Sequence, residues 1–380
     1  MTIERAERLK HFSEYYFSKK LKEIRQLIAA GKPVINLGIG SPDQQPPQQV
    51  IATLKSGVDA ADAHGYQPYQ GIAALHAAVH GFCQRYYHVD TSALQVLPLM
   101  GSKEGITHIS LAYLNPGDQV LVPSLGYPTY TSVTKMVGGE PVYYPLQENQ
   151  NWEPDWEWLD RLDTSKVKIM WINYPHMPTG TVASSGCMER LVAFARARGL
   201  LLCHDNPYSL VLNDTPQSIF SVAGAEEVCI ELNSLSKAFN MAGWRVGWLM
   251  GKPELVAPVL QIKSNMDSGM FKPIQQAAVQ ALQLSEEWFA QLNAVYRKRR
   301  GLACAIMEAL GCTYETDQAG MFVWGKVPSG TGEELSDRLL YEHDVFVTPG
   351  FIFGTQGKAY IRISLCSTEE VLQEVMSRIA

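Results

Sequence analysis

Seven short apolar runs alternate with helical stretches between about residue 95 and residue 250. The runs are rich in β-branched and aliphatic residues and are bounded by Gly, Pro, Asn or Asp, which is typical of β-strands. They are Val96–Met100, Gln119–Pro123, Pro141–Pro145, Val167–Asn173, Leu200–His204, Val228–Asn233 and Val246–Met250. Helical patterns such as Lys103–Leu114 and Ser184–Arg198 lie between them. This alternation predicts an α/β fold whose seven-stranded, mostly parallel sheet is covered on both faces.

The two ends of the chain have a different pattern from this middle part. Residues 3–30 have the pattern of a helical arm, and Val34–Leu37 that of a short extended segment. Towards the other end, helices over residues 285–310 lead to strand patterns at Phe322–Trp324 and Tyr360–Leu365. These patterns predict a second, smaller α+β unit that the N-terminal segment completes.

The length of the chain predicts more than one unit, since 380 residues exceed what a single compact core usually supports. We predict an N-terminal arm and small-domain segment over residues 1–45, a large domain over residues 46–280 and a small C-terminal domain over residues 281–380. Sheets of this kind bind ligands in the crevice outside the carboxyl ends of their strands. The functional site is therefore expected at that edge of the large domain.

Composition argues against several classes of function. The formal net charge is -6 and there is no basic run, so nucleic acid is not expected as a partner. No apolar run is long enough to span a bilayer, and residues 1–31 lack the apolar stretch of a signal peptide. The seven cysteines form no CxxC pair, so neither a disulfide framework nor a metal site is predicted. These features predict a soluble, cytoplasmic protein.

The most informative local motif is Ser234-Leu235-Ser236-Lys237, which follows a predicted buried strand. A lysine in this position is either a solvated loop residue or a Schiff-base lysine, whose amine becomes nucleophilic when desolvation lowers its pKa. Taken alone, the solvated loop is the commoner case. Arg245 lies eight residues further on and could share an anionic ligand with the same loop.

A second motif, Gly101-Ser102-Lys103, lies between a predicted strand and a predicted helix. The free N–H groups of a helix N-terminus favour a phosphate. Lys103 is unfavourable there unless an anion compensates it, because the helix dipole is positive at this end. A plain strand-to-helix turn has the same pattern, so this motif is only supporting evidence for a phosphate site.

Two further motifs follow the central strands. Asp205 comes after an apolar strand and has Tyr208 three residues later; a carboxylate there can pair with a protonated ring nitrogen or simply cap a turn. The segment Asn173–Gly180 contains two prolines and a glycine, which indicates a rigid turn. His176 within it is interpreted as structural, since no partner for general-base catalysis is evident.

Taken in order, these motifs resemble those of the fold-type I, class I and II aminotransferases, and the resemblance covers nearly the whole chain. The ordered set is INLGIGSPD, HGYQPYQG, GSKEG, NPGDQVLVPSLGYPTY, NYPHMPTG, DNPY, SLSKAFNMAGWRVG and IRIS. The stretches GSKEGITH, FNMAGWRVGW and IKSNMDSG are most similar to the LL-diaminopimelate aminotransferase branch and its alanine, aspartate and methionine relatives. The resemblance implies pyridoxal 5′-phosphate (PLP) as cofactor and a homodimer with shared active sites.

The resemblance also implies roles for residues at matching positions. Lys237 would bind the cofactor as a Schiff base and later move the substrate proton. Asp205 would keep the ring nitrogen protonated, Tyr208 would donate to the ring oxygen O3′, and Tyr127 would stack on the ring. The implied phosphate ligands are Ser102, Lys103, Ser234 and Arg245, with Tyr66 from the neighbouring subunit. The implied substrate ligands are the backbone of Gly40 and the side chain of Arg362, which would bind the α-carboxylate.

One position departs from the family pattern. Met177 stands where the family usually has an Asn whose amide donates to O3′, and a thioether cannot replace that donor. A lost charge-assisted hydrogen bond is worth on the order of 1.5–3 kcal/mol. We therefore predict a raised pKa of the Schiff base, with O3′ held mainly by Tyr208.

Three functions remain open on the sequence. The favoured one is an aminotransferase that moves an amino group from an L-amino acid, such as diaminopimelate, aspartate, alanine or methionine, to 2-oxoglutarate or pyruvate. The second is a PLP-dependent C–S β-lyase on the same fold, which would return the cofactor unchanged. The third is a non-catalytic ligand-binding relative, such as the effector domains of some transcription regulators. The retained lysine argues against the third.

Overall fold

The structure, a computed structural model, describes residues 3–11 and 16–379. The α-helices of this part of the chain are α1 (Tyr16–Ala29), α2 (Gln48–Val58), α3 (Ala73–Tyr86), α4 (Ser102–Tyr113), α5 (Thr129–Met136), α6 (Trp156–Arg161), α7 (Ser185–Arg198), α8 (Pro253–Ser264), α9 (Lys272–Leu282), α10 (Glu286–Ala309), α11 (Gly332–His343) and α12 (Glu369–Ile379). The predicted arm consists of a short 3₁₀ helix, Glu7–His11, and α1, while its residues 12–15 lie outside the described part. None of these helices is long and apolar enough to cross a membrane.

The strands of the described residues form one large sheet and smaller ones. They are β1 (Ile35–Asn36), β2 (Gln95–Leu99), β3 (Gln119–Pro123), β4 (Glu140–Tyr144), β5 (Leu146–Gln147), β6 (Glu153–Pro154), β7 (Val167–Asn173), β8 (Leu201–Asp205), β9 (Cys229–Ser234), β10 (Gly247–Gly251), β11 (Thr313–Tyr314), β12 (Phe322–Lys326), β13 (Val345–Phe346), β14 (Thr348–Pro349) and β15 (Tyr360–Ser364). The large sheet has seven strands in the order β2-β10-β9-β8-β7-β3-β4, and only β10 runs against the others. The prediction of a seven-stranded, mostly parallel sheet is confirmed.

Each predicted strand of the large sheet is present, and its bounds differ by at most one residue. The shifts matter at two positions, where the prediction was wrong. Asp205 and Ser234 are the last residues of β8 and β9 rather than residues that follow these strands. The pairing registers extend to these ends, so the backbone of both residues belongs to the rigid sheet.

Helices cover both faces of the large sheet. Successive strand residues point to opposite faces, and in β8 Leu201 and Cys203 pack in a core with residues of α4, α5 and α8. Leu202 between them packs on the other face, in a core that residues of α3, α7 and α9 share. This double coverage explains why the strands are apolar along most of their length rather than alternating with polar residues.

The topology brings the ends of several strands to one edge. In the paired strands β7 and β8, Asn173 lies beside Asp205, and β9 continues the sheet next to them. Since β10 is antiparallel, its first residue Gly247 pairs with Ser234 and with Leu99 of β2. The segments that follow β2, β8 and β9 and the segment that precedes β10 therefore meet at this edge.

A four-stranded sheet, in the order β11-β12-β15-β14, lies in the C-terminal part of the chain. The N-terminal segment joins that part, because β1 pairs with β13 in parallel and the Ser364 N–H donates to the Leu37 carbonyl over 2.8 Å. This arrangement suits a small domain built from both chain ends. The predicted boundaries after residues 45 and 280 stay a prediction. Within residues 285–310 the structure has one continuous helix, α10, rather than the several helices predicted.

Candidate active site

A cavity of about 360 Å³ lies at the carboxyl edge of the large sheet, against residues of β12 and β15. It brings together eleven of the twelve predicted site residues: Gly40, Ser102, Lys103, Tyr127, Met177, Asp205, Tyr208, Ser234, Lys237, Arg245 and Arg362. The twelfth, Tyr66, is 93% exposed and does not line it. A cavity of this size can hold a small cofactor and part of a substrate.

Lys237 lies in the loop after β9, and its Nζ donates to the Gly40 carbonyl oxygen over 2.5 Å. Removal from water lowers the pKa of its ammonium to about 8, since desolvation disfavours the charged form. The cations Arg362 and Arg245 act in the same direction, whereas Cys366 and Asp205 oppose it. The unprotonated fraction of the amine near neutral pH is therefore much larger than that of an ordinary lysine, which favours a nucleophile.

Asp205 ends β8 with its carboxylate in the cavity wall. Its Oδ2 accepts a hydrogen bond of 2.8 Å from the Tyr130 hydroxyl, whereas its Oδ1 is buried without a partner among the described residues. Burial raises the pKa of this carboxyl to about 6, and the Tyr130 hydrogen bond limits the rise. A buried acceptor without a donor is costly, so Oδ1 fits a ligand that offers a cationic N–H group.

Two tyrosines border the space between Lys237 and Asp205. The ring centroid of Tyr208 lies 5.6 Å from the Lys237 Nζ, and burial raises the pKa of Tyr208, which keeps its hydroxyl a donor. Tyr127 also lines the cavity, with its ring edge-on to Tyr130 at 5.7 Å between centroids. A flat aromatic ligand between these groups would make polar contacts at its edge and would stack against an aromatic ring at its face.

Part of the cavity wall is an anion cradle made by the N-terminus of α4 and by Arg245. Gly101 precedes the helix with φ of 84°, and a Cβ atom there would collide with the Arg245 guanidinium. Arg245 donates to the Ser236 hydroxyl over 3.3 Å, and the Ser236 N–H donates to the Ser234 hydroxyl over 3.1 Å. Helix N-terminal N–H groups, hydroxyls and a guanidinium are the groups that a phosphate prefers in a binding site.

Arg362, on β15, also lines the cavity. Its Nη2 donates to the Gly38 carbonyl over 3.0 Å, and its Nη1 contacts the Met177 sulfur at 3.3 Å. The guanidinium carbon lies 3.8 Å from the ring centroid of Phe322 and 4.6 Å from that of Phe353. Packing between two rings holds the guanidinium fork in one orientation, as bidentate recognition of a carboxylate requires.

His176 is structural, as interpreted from the sequence, although it does have partners. Its Nδ1 lies 2.8 Å from the Thr179 hydroxyl and its Nε2 lies 3.0 Å from the Leu125 carbonyl. Burial lowers the pKa of His176 to about 4, which keeps the ring neutral. Since both nitrogens are engaged away from the cavity, the ring fixes the turn rather than moving protons.

Sequence reasoning missed four residues that shape the site. They are Tyr130, Ser236, Phe322 and Phe353. Two of them stand inside quoted motifs, where the second tyrosine of GYPTY and the second serine of SLSK could have been singled out. The two phenylalanines carry no local signal, because an apolar residue in a strand or turn is usually core.

Comparisons with known proteins cover the whole of this site. The family described as aminotransferase class I and II matches residues 32–379. An LL-diaminopimelate aminotransferase from Oleidesulfovibrio alaskensis is 38% identical over 380 residues, covering 99% of this chain and 98% of the relative. Apo-BacF from Bacillus subtilis has a TM-score of 0.93 at 34% identity, covering 100% of this chain and 98% of that one. A probable N-succinyldiaminopimelate aminotransferase from Thermus thermophilus has a TM-score of 0.87 at 30% identity, covering 96% and 98%.

Proposed function

This chain belongs to the class I and II aminotransferase family and is a PLP-dependent enzyme, and on that premise we propose how its cavity carries out amino-group transfer. One observation carries the proposal: the Lys237 amine and the unpartnered Asp205 Oδ1 line the same cavity. The first supplies a nucleophile and the second an acceptor for a protonated ring nitrogen. When bound, PLP supplies an aldehyde that takes up the amino group and a conjugated ring that withdraws electrons from the substrate carbon.

The residues of the chain would hold the cofactor at three points. Asp205 would accept the ring N–H at Oδ1, while Tyr130 keeps Oδ2 occupied. Tyr208 would donate its hydroxyl to the ring oxygen, since its raised pKa keeps it protonated. The phosphate would occupy the cradle formed by Gly101, Arg245 and the ligands predicted from the sequence, namely Ser102, Lys103 and Ser234.

Lys237 would have two tasks. It would bind the cofactor covalently, and its Nζ, once displaced by the substrate amine, would accept the proton from the substrate Cα and later release it. A pKa of about 8 suits both tasks, because the amine is a base of moderate strength at neutral pH. Arg362 would bind the α-carboxylate and thereby orient the Cα–H bond towards that amine.

The amino donor is an L-amino acid, with diaminopimelate, aspartate, alanine and methionine as the candidates that the family resemblance offers. The relative from Oleidesulfovibrio alaskensis is named for LL-diaminopimelate. The acceptor is a 2-oxo acid, with 2-oxoglutarate and pyruvate as candidates. The reaction would be ping-pong, because one cavity serves the donor and then the acceptor.

The experiment that tests the proposal is a half-reaction. Holoenzyme is mixed with one donor at a time and no 2-oxo acid, and the cofactor is then extracted and identified. Transamination converts one equivalent of cofactor to its amino form and releases one equivalent of 2-oxo acid, and pyruvate or 2-oxoglutarate reverses this. The same assay is run with L-cystathionine, which has a sulfur on Cβ. Continuous release of a thiol, pyruvate and ammonia from it, with the cofactor unchanged and no conversion by the other donors, would indicate elimination and would overturn the proposal.

The enzyme would act as a homodimer in which Tyr66 completes the phosphate site of the partner. The support is a group of exposed apolar side chains on two adjacent segments, residues 64–71 and 264–271. They are Tyr66, Tyr69, Met266 and Phe271, and the rings of His64 and Phe271 lie 6.3 Å apart between centroids. Contiguous exposed apolar groups of this kind mark interaction surfaces.

A mixing experiment tests the shared site. Lys237→Ala and Tyr66→Ala protomers are each assayed alone and then refolded or exchanged together. A hybrid dimer would contain one complete site, with the lysine of one protomer and the tyrosine of the other, so activity should return. If Tyr66 served the site of its own protomer, or if the protein were monomeric by sedimentation, mixing would restore nothing.

A further inference from the structure

A histidine and a glutamate form a fully buried pair next to Asp205. His204 precedes Asp205 in β8, Glu231 pairs with it in the neighbouring strand β9, and both side chains are 0% exposed. The His204 Nδ1 lies 2.9 Å from the Glu231 Oε2, and its Nε2 lies 2.9 Å from the Tyr174 carbonyl oxygen. An apolar pair of similar volume would usually be at least as stable, so stability alone does not account for these two residues.

The hydrogen bonds define the charge of this histidine. A carbonyl oxygen and a carboxylate oxygen only accept hydrogen bonds, so each ring nitrogen needs its own hydrogen and the ring is an imidazolium. The Glu231 oxygens accept three further hydrogen bonds, which favour the ionised form of a carboxyl group. The donors are the Ser218 hydroxyl over 3.0 Å, the Ile219 N–H over 2.8 Å and the Asn233 amide over 3.0 Å. The proton therefore lies on His204 rather than on Glu231.

Three other titratable groups near Glu231 are uncharged. They are Cys83 and Tyr87, in and just after α3, and Cys229 on β9, and burial raises the pKa of each. The Tyr87 hydroxyl donates to the Asn233 Oδ1 over 3.1 Å, which orients the amide so that its nitrogen donates to Glu231. The imidazolium of His204 is therefore the counter-charge of Glu231 in this network.

The imidazolium also acts on Asp205, the proposed acceptor for the cofactor ring nitrogen. Neighbouring residues of a strand point to opposite faces of the sheet, so the two side chains interact through the sheet rather than by direct contact. Burial raises the pKa of the Asp205 carboxyl to about 6, and the Tyr130 hydrogen bond opposes this rise, followed by the charges of His204 and Lys237. In the proposed function Lys237 bonds to the cofactor, so His204 is the one of these two cations whose charge does not depend on the reaction.

The same pair joins the three strands whose ends form this edge of the sheet. From β8, His204 reaches Tyr174, which follows β7, and Glu231 of β9. On the β7 side, the Asn173 amide also donates to the Asp205 carbonyl over 2.7 Å. The backbone that carries the Asp205 carboxylate is therefore fixed to the strands on both of its sides.

From this network we propose that His204 and Glu231 are positioning residues for the cofactor: Glu231 keeps the proton on His204, and the imidazolium keeps Asp205 ionised for the ring nitrogen. The inference rests on the proposed function and adds to it two residues that do not line the cavity. Because both side chains are buried within one protomer, their effect does not depend on the subunit interface.

The first measurement determines the charge of the pair without any cofactor. Neutron diffraction from crystals of the deuterated apoprotein at about pH 8 locates the exchangeable hydrogens, at a pH where an ordinary histidine, which titrates near about 6.5, has lost one of them. We expect deuterium on both ring nitrogens of His204 and none on the Glu231 carboxylate. A ring with one deuterium, or a protonated Glu231, would overturn the inference.

The second measurement compares the pH dependence of PLP binding in a double variant. His204→Gln together with Glu231→Gln removes both charges, whereas either substitution alone would leave a buried charge without its partner. The pH at which PLP affinity falls should move upward by about 0.5–1 unit, because Asp205 loses a cation that favours its ionised form. His176→Gln is the matched control, since it removes a buried imidazole that is neutral, and it should keep the wild-type midpoint.

The outcomes separate this inference from the proposed function. Coinciding midpoints in the double variant and the His176→Gln control would overturn the inference and leave the proposed function standing. Asp205→Asn should abolish the midpoint, and if it instead kept the wild-type midpoint, the proposed role of Asp205 would itself be wrong. If the double variant does not fold, the diffraction measurement on the wild-type protein decides the question by itself.

Discussion

The hydrogen bond between Tyr130 and Asp205 offers a direct test of how the site controls the cofactor. The Tyr130 hydroxyl donates to Oδ2 over 2.8 Å, while its ring stacks on Trp171 with 5.1 Å between centroids. Tyr130→Phe keeps the stacked ring and removes only the hydroxyl. The variant therefore leaves the carboxylate buried but without its hydrogen-bond donor.

The size of the effect follows from the energy of the lost bond. A hydrogen bond to a charged group contributes about 1.5–3 kcal/mol, and one pKa unit corresponds to about 1.4 kcal/mol. Burial raises the pKa of Asp205 to about 6 in the wild type, and the Tyr130 bond opposes that rise. Its removal should raise the pKa further, by about 1–2 units. The ionised carboxylate, which in the proposed function would pair with the protonated cofactor ring, then becomes scarcer at neutral pH.

The assay is the dissociation constant of PLP from the apoenzyme, measured from acidic to alkaline pH. For the wild type, affinity should fall as the pH drops through about 6, since Asp205 becomes protonated there. For Tyr130→Phe the fall in PLP affinity should begin about 1–2 pH units higher. At alkaline pH the two proteins should bind PLP with similar affinity.

A control variant accounts for the effects on the pH dependence of PLP binding that all the proteins share, including titration of the cofactor phosphate. Tyr144 is also buried and donates to the Trp171 carbonyl over 2.8 Å, away from Asp205. Tyr144→Phe loses a similar hydroxyl and should keep the wild-type pH midpoint. If the midpoints of the two variants coincide, Tyr130 does not control the ionisation of Asp205 and the reasoning is refuted.

Three further substitutions test the remaining contacts. Met177→Asn restores an amide donor and should lower the pKa seen in the spectral titration of the holoenzyme by about 1–2 units. Met177→Leu is the control and should leave that pKa unchanged. No shift with Asn would contradict the predicted role of this position. Lys237→Ala should lower the steady-state rate about 10³-fold or more. The melting temperature of the apoprotein should not fall, since a desolvated amine does not stabilise the fold. A wild-type rate would exclude this lysine as a catalytic residue. Arg245→Gln should weaken PLP binding about 10–100-fold by equilibrium titration and leave its pH midpoint unchanged; undiminished affinity would place the phosphate elsewhere.

The large sheet was predictable because its strands are buried on both faces. Runs such as Val167–Asn173 are apolar along nearly their whole length and end at polar or turn-forming residues, so their bounds can be identified from local composition. The pairing of β1 with β13 was not predictable in the same way. Each of these strands has two residues, which is too short for any periodicity, and the partners are about 310 positions apart.

The candidate site was predictable where a residue stands in a motif at the end of a strand or shortly after it, as Asp205, Lys237 and Ser102 do. It was not predictable where a contact joins distant parts of the chain. Tyr130 reaches Asp205 from α5 across 75 positions, and Phe322 packs on Arg362 from the neighbouring strand. An aromatic residue in a strand is most often part of the core, so its sequence context gives no sign of such a role.

The sequence by itself determined the alternation of strands and helices, the edge at which the motifs meet and the chemical groups available there. The tertiary structure decided the state of those groups: the pKa of the Lys237 ammonium falls to about 8 and that of the Asp205 carboxyl rises to about 6. It also decided that Phe322 and Phe353, which lie in separate segments, pack against the Arg362 guanidinium in the cavity wall. The physical reason is that desolvation and electrostatic interaction depend on every group nearby in space, including groups far apart in sequence.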